Sequence, residues 1–337
     1  MAAPRKWLIT GGCGFIGASL AKELLSEGGH FIRVLDNLSV GSLSDIARIC
    51  GFVETDIAQP DIGHLTLSPC AELIIGDIGD YNTCCKACEG VDIIVHLAAN
   101  TGVGPSVESP RTDMESNIIG TFNMLEAARQ NRVSRFIFAS SGAPVGECIP
   151  PIHEGLAPHP VSPYGASKLA GEGYCSAYFH SFGIETVALR FGNVYGPGSG
   201  HKNSVVAKFI RQAMNGETLE IYGDGNQTRD FIFIDDLIMA IILSADKPGI
   251  GGEIFQIAAN TETTVKGLAG KLLPILSDSG HKNVQMHYTA PRTGDVRRNF
   301  SDTSKAEKML GWNAQTGITE GLKRTVDWFT KNKKIHP

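Results

Sequence analysis

Residues 6–25 read KWLITGGCGFIGASLAKELL, and the fold turns on how this stretch is parsed. Residues 6–10 form a short run of bulky and β-branched side chains, which suits a buried strand. From Gly17 onward apolar residues return at helical spacing. Between the two, Gly11, Gly14 and Gly17 fall three residues apart. Glycines in such a turn let the backbone approach a pyrophosphate closely. The N-terminus of the following helix supplies N–H groups and the positive end of its dipole. A glycine triplet alone is weak evidence; a strand before it and a helix after it make it a dinucleotide-binding signal. Phe15 and Ile16, inside the same turn, join the candidate cofactor set. The second strand, FIRVLD, ends at Asp36. A carboxylate there binds the adenosine ribose hydroxyls and repels a 2′-phosphate, which favours NAD over NADP. Asn37 follows it in the same set.

The chain has 337 residues, 42% hydrophobic and 19% charged, with a net charge of −5. This is ordinary globular composition, and the balance argues against a nucleic-acid partner. No apolar run approaches the ~18 residues of a membrane span. The chain enters its first strand almost at once, leaving no room for a secretory apolar segment, so the expected location is cytoplasmic. The eight cysteines are then expected to be reduced thiols. Cys84, Cys85 and Cys88 cluster, but no second pair of ligands stands at zinc spacing, and no metal is expected.

Further strands are read in ELIIGD, VDIIVHLAA, RFIFASS and ETVALRFGN, with helices in GASLAKELLSEG and IIGTFNMLEAARQNR between them. Continuous apolar strands alternating with helices imply a parallel sheet covered on both faces. The expected fold is α/β, a doubly wound parallel sheet (Rossmann-like) with a smaller C-terminal α/β substrate lobe. Residues 1–190 and 229–260 are assigned to the NAD-binding domain, the stretch from 230 on being read as a return to the main body. Residues 191–228 and 261–330 are assigned to the lobe, with a cleft between the two.

In SPYGASKLAGE, residues 162–172, Ser162 is a good N-cap and Pro163 suits the first helical position. Tyr164 and Lys168 stand four apart, so both face the same side of the helix. An ammonium near a phenol favours the phenolate and makes it a base for an alcohol proton. Gly165, Gly171 and Gly173 each cost roughly 1 kcal/mol inside a helix, so close packing is expected there, against the cofactor or a partner helix.

Several motifs now fall in order: TGGCGFIG, Asp36, Asp77 and Ile78 in GDI, HLAA at 96–99, Asn117, ASS at 139–141, YGASK, and RFGNVYGP. Together they resemble the extended short-chain dehydrogenases, and within them the NAD-dependent sugar-nucleotide epimerase/dehydratase group. The resemblance runs from about residue 6 to about 330. It implies that Gly11, Gly14 and Gly17 line the pyrophosphate and Asp36 the adenine ribose. Asp77 and Ile78 would flank the adenine, and Leu97, Ala98 and Ala99 the cofactor channel. Asn117 is similar to a cofactor-side asparagine of the family. Tyr164 would be the base. Lys168 would hold the nicotinamide ribose and lower the tyrosine pKa. Ser141 would bond the reacting sugar oxygen, with Gly142 beside it. The resemblance also implies a homodimer built through two helices of each subunit, one being the Tyr164 helix.

The same resemblance separates reactions. Family dehydratases carry an acidic pair directly after this serine; here Ser141 is followed by Gly142, Ala143 and Pro144. General acid/base elimination lacks its proton carriers. What remains is transient oxidation at C4, as in the UDP-glucose 4-epimerase group, on UDP-glucose/UDP-galactose or the N-acetyl or uronate counterpart. A net NAD(P)-dependent nucleotide-sugar oxidoreductase (a keto-sugar reductase) is the alternative, opposed by Asp36. A dehydratase and a non-enzymatic NAD-sensing regulator rank lower.

In the lobe, Asn193, Arg229 in QTRDFIF and Arg292 in APRTGDVRRNF match the family's contacts to the sugar-nucleotide phosphates. Arginine suits that role because its planar fork is bidentate. Tyr222 is placed near the nucleoside. Asn299 stands where hexose-restricted epimerases often carry a bulky aromatic, so an N-acetyl group would fit. Val145 replaces a tyrosine usual in the SSxxVYG pattern.

Overall fold

Trp7, Leu8 and Ile9 are wholly buried, and they lie in β1 (Lys6–Thr10), the strand on which the large sheet is organised. The computed structural model describes residues 4–50, 64–291 and 296–332. Beside β1 stand β2 (Phe31–Asp36), β3 (His64–Ser68), β4 (Ala71–Ile75), β5 (Ile93–His96), β6 (Arg135–Ser141) and β7 (Glu185–Phe191). With the strand Glu253–Ile257 they form one sheet, ordered Glu253–Ile257, β7, β6, β5, β1, β2, β4, β3. β1 runs parallel to both β2 and β5, β2 to β4, and β5 to β6, whereas β3 is antiparallel to β4. The chain winds outward from β1 in one direction through β2 and β4, and in the other through β5, β6 and β7. The order therefore reverses between β1 and β5. In an open parallel sheet the ligand crevice lies at that reversal, outside the carboxyl ends of the strands.

The helix Pro163–Phe182 begins as its sequence dictates: the Ser162 hydroxyl accepts from the Gly165 N–H at 3.1 Å, with Pro163 at the first position. It lies on β6, and a Cβ on Gly171 would sit 2.3 Å from Phe138. One on Gly165 would sit 2.6 Å from the Ala143 carbonyl oxygen. Gly173 differs from the other two. A Cβ there meets nothing within 4 Å, so packing inside this chain gives no reason for that glycine.

Beneath the helix, Arg190 donates to both oxygens of Glu172 at 2.7 Å each, and the Ser140 hydroxyl donates to the same carboxylate at 2.6 Å. Both ends of the pair are nearly inaccessible. A buried ion pair adds little net stability, but removing one partner strands the other charge.

These elements belong to a unit comprising Met1–Gly146, Ala157–Arg190 and Ala240–Phe255. A second unit comprises Glu147–Leu156, Phe191–Met239 and Gln256–Pro337. Among the described residues it holds three small strand pairs: Asn193–Tyr195 with Phe231–Phe233, Leu219–Tyr222 with Met286–Thr289, and Thr228–Arg229 with Thr263–Thr264. Its helices include Val205–Met214, Val265–Asp278 and Ile318–Lys331. The unit limits differ from those read in the sequence. Phe231–Phe233 pairs with Asn193–Tyr195 instead of joining the large sheet, which draws residues 229–239 into the second unit. Ile152 bridges Ser301, which draws in residues 147–156.

Arg190→Ala is expected to cost about 3–5 kcal/mol, because Glu172 stays buried without its cation. The denaturant-unfolding transition of the purified protein measures it.

Candidate active site

The site starts at the carboxyl ends of β1 and β5. The Thr10 hydroxyl accepts from the Leu97 and Ala98 N–H groups at 3.2 and 3.1 Å. Its own proton therefore points to His96 Nδ1, 2.8 Å away. His96 Nε2–H then donates to the Thr121 hydroxyl at 3.1 Å. Burial, with the Lys168 charge behind it, lowers the His96 pKa to about 3, so the ring stays neutral and this one tautomer persists. The relay ties the two loops across the reversal point. It uses Thr10, His96 and Thr121, which sequence reasoning gave no role; the histidine of HLAA was the available signal.

Gly11 has φ +67°, and a Cβ there would lie 2.8 Å from the Ala98 nitrogen. A Cβ on Gly17 would lie 2.5 Å from the Gly11 carbonyl oxygen. The turn is thus closed to any larger residue. Gly14 caps the helix Phe15–Glu27 with no side chain over its end. The first N–H groups of a helix have no partner within it, so those of the Phe15–Gly17 turn suit a pyrophosphate. Phe15 packs its ring into the core, and Ile16 is half-buried.

At the end of β2, Asp36 accepts from the Cys13 N–H at 2.9 Å and the Leu38 N–H at 2.8 Å. Asn37 donates to Asp77 at 2.8 Å, and the other Asp77 oxygen accepts from the Gly79 N–H at 2.7 Å. Ile78 is buried, its carbonyl bonded by the Asn123 amide at 2.9 Å. Asp36, Asn37, Asp77 and Ile78 thus gather in one hydrogen-bonded margin. The closed glycine turn and the carboxylate at the end of β2 fit a dinucleotide.

Asn117 stands in a π-helical turn, Glu115–Ile119, a distortion frequent at functional sites. Its amide accepts from the Asn100 N–H at 2.8 Å and donates to the Asn100 carbonyl at 2.9 Å. The same nitrogen reaches Asp113 at 2.9 Å and the Ser167 hydroxyl at 3.2 Å. Asn117 therefore holds the segment after Leu97, Ala98 and Ala99 against the Tyr164 helix.

Lys168 is 4% exposed, donates to the Ala139 carbonyl at 2.9 Å, and lies over the Phe138 ring at 4.9 Å. Burial pulls its ammonium down to about 8, against the supporting charge of Asp113. Burial pushes the Tyr164 phenol up to about 12, opposed by its hydrogen bond with Ser141. The expected lowering of the tyrosine by the lysine is thus absent from the protein alone. The ammonium sits 5.9 Å from the phenol ring centre, and desolvation of the phenolate wins. Ser141 also accepts from the Ala143 N–H at 3.2 Å, which fixes the Gly142 turn, and Val145 behind it is buried.

In the second unit, Asn193, Tyr222 and Arg229 line one cavity of about 190 Å³. Lys208, Glu220 and Ser204, which carried no motif, line it too. Lys208 pairs with Glu220 and reaches the Tyr222 hydroxyl at 3.2 Å. The Ser204 hydroxyl is buried with no hydrogen-bond partner among the described residues. Arg229 donates to the Thr228 and Val296 carbonyls at 2.7 Å, which orients its fork. Asn299 is half-buried beside Thr228 and is not part of the cavity lining. Arg292 lies outside the described residues.

Comparison with known proteins matches these features. The UDP-glucose 4-epimerase of Mycolicibacterium smegmatis is 32% identical over 335 residues, covering 97% of this chain and 98% of that protein. The crystal structure of UDP-glucose 4-epimerase from Thermotoga maritima with UDP-glucose superposes with a TM-score of 0.85 at 33% identity, covering 97% and 99% of the two chains. UDP-glucuronic acid 4-epimerase from Bacillus cereus, solved with UDP-glucuronic acid and NAD, has a TM-score of 0.83 at 27% identity, with coverage of 97% and 99%. The sequence profile of the NAD dependent epimerase/dehydratase family matches residues 7–258, a span that holds the glycine turn, Asp36, Ser141, Tyr164 and Lys168, and the chain belongs to that family.

Proposed function

We propose that this chain is a UDP-sugar 4-epimerase that oxidises C4 transiently and returns the same hydrogen to the opposite face. The observation that carries the reading is the Ser141–Tyr164–Lys168 cluster, combined with a Gly142–Ala143–Pro144 turn that offers no carboxylate. The first unit is the NAD-binding body, and the second holds the nucleoside diphosphate in its cavity through Asn193, Tyr222 and Arg229. Bound NAD would supply a reversible acceptor for the C4 hydrogen and a positive charge favouring the phenolate. Gly11, Gly14 and Gly17 hold its pyrophosphate, Asp36 its adenosine ribose and Lys168 its nicotinamide ribose. Tyr164 takes the proton of the C4 hydroxyl while Ser141 hydrogen-bonds that oxygen. The same phenol later returns the proton, so one group serves both directions and no cofactor is consumed. Elimination needs a separate acid and base beside the serine.

The chain works as a homodimer in the cytoplasm. Phe122 and Tyr174, 38% and 39% exposed, meet edge-on at 5.6 Å, and Phe182 is 53% exposed on the same helix as Tyr174. An apolar face of this kind, with the open Gly173 beside it, suits a second copy of the chain. All eight cysteines are free thiols, in keeping with a reducing compartment.

Incubation with UDP-glucose, UDP-N-acetylglucosamine or UDP-glucuronate, without added cofactor, is expected to yield the 4-epimer of at least one. Ion-exchange chromatography resolves the products. No epimer from any of the three, with or without added NAD, would move the net oxidoreductase to first place. Tyr164→Phe is expected to lower kcat about 10²–10⁴-fold with little change in UDP-sugar binding by calorimetry. With the cofactor's positive charge lowering the Tyr164 phenol, the profile of kcat/KM should fall on the acid side as Tyr164 gains its proton and on the alkaline side as Lys168 loses its own. A phenylalanine variant of undiminished kcat would contradict the assignment of the base. Tyr174→Asp should reduce the mass in light scattering to that of a monomer.

A further inference from the structure

We infer that Arg211 is a positioning residue for nucleotide binding: it ties the loop of residues 196–204 to the helix Val205–Met214 and so holds one wall of the second unit's cavity. The inference rests on the reading of that cavity as the seat of the nucleoside diphosphate.

Residues 196–204 read GPGSGHKNS. A stretch this rich in glycine has many conformations to lose. Its own bonds are short-range: the Ser199 hydroxyl donates to the Gly196 carbonyl at 2.7 Å, and the Lys202 N–H to the Ser199 carbonyl at 3.0 Å. Arg211 reaches back to the loop from within the helix. One terminal nitrogen of its guanidinium donates to the Gly200 and Lys202 carbonyls at 2.7 Å each, and the other to the Asn203 side-chain oxygen at 3.3 Å. The planar fork thus fixes three residues of the loop at once, which the single nitrogen of a lysine does not match.

What the fork holds belongs to the cavity, because Asn203 and Ser204 form part of its lining. Ser204, Lys208 and Arg211 stand at i, i+4 and i+7, so they share one stripe of the helix. On that stripe Lys208 bonds the strand side of the cavity through Glu220 and the Tyr222 hydroxyl. Gln212, on the same helix, accepts from the Glu220 N–H at 3.3 Å. Arg211 bonds the loop side, so one helix spaces the two walls. Val206, Phe209, Ile210 and Ala213 bury the opposite face, which makes the helix a fixed support.

A loop already ordered in the free protein costs a ligand less to engage. A loose loop offers its wall in only a fraction of molecules, and the apparent affinity falls by that fraction. Ser141, Tyr164 and Lys168 belong to the first unit, so loss of the tie should appear in KM and not in kcat.

Arg211→Met removes the fork, and Arg211→Lys keeps the charge without the fork. Hydrogen exchange of residues 196–204, read by mass spectrometry without nucleotide, reports the tie. Calorimetric titration with UDP reports the cavity. In the methionine variant, exchange should rise in this loop. The UDP dissociation constant and KM should rise about tenfold, as for a wall in place about one-tenth of the time, with kcat little changed. The lysine variant should fall between the two, and it carries the same comparison if the methionine variant does not fold. Unchanged loop exchange in a folded variant would overturn the inference. So would a loosened loop that leaves UDP affinity as in the wild type, in either variant, or a loss confined to kcat. Wild-type protein that binds no UDP would instead refute the nucleotide reading of the cavity, and this inference with it, before any variant is compared.

Discussion

A buried lysine and a half-buried tyrosine share one helical face at the carboxyl end of a parallel sheet, and the rest of the site answers that constraint. Burial drives both toward their neutral forms, whereas a base for an alcohol needs the tyrosine ionised and the lysine charged. The Ala139 carbonyl, the Phe138 face and Asp113 support the cation; Ser141 supports the phenolate. In the protein alone these are insufficient for Tyr164, whose pKa stays near 12. The positive charge of a bound cofactor would add to these supports, an electrostatic role besides its redox one. The family membership and the chemistry of the cluster thus meet in one requirement.

The fold meets a matching geometric requirement. Reversal of strand order beside β1 brings the loops after β1 and β5 together, and the Thr10–His96–Thr121 relay locks them with a histidine that cannot gain a proton near neutrality. Glycines at 11 and 17 close the turn where no Cβ fits. The Glu172–Arg190 pair anchors the Tyr164 helix on the sheet. Rigid placement of this kind is what a proton transfer of fixed geometry requires.

Legibility in the sequence followed the range of the interaction. Local rules were readable: Ser162 and Pro163 start their helix, the glycine triplet forms its turn, Asp36 ends its strand, and apolar runs 6–10, 31–36 and 135–141 become buried strands. Features that depend on distant partners were not. The β3 hairpin strand has no pattern of its own, and the parallel pairing of Phe231–Phe233 with Asn193–Tyr195 overrode the apparent return of that segment to the main sheet. The π-turn at Asn117 carries no local pattern, and the helix read there begins only at Ile118. Lys208 and Glu220 are ordinary surface types until folding brings them to one cavity. The desolvation of the tyrosine was not legible because spacing reports which groups are near each other, whereas its cost depends on everything packed around them.

The central claim, that one half-buried tyrosine removes and returns a proton while the C4 hydrogen never leaves the site, is tested by isotope retention. A UDP-sugar carrying deuterium at C4 is converted to its epimer in ordinary water, and the product is read by mass spectrometry and proton NMR. The account predicts that the label stays at C4 of the epimer, with none lost to water or to added free NAD. Loss of the label to solvent, or its replacement by hydrogen from water, would contradict it.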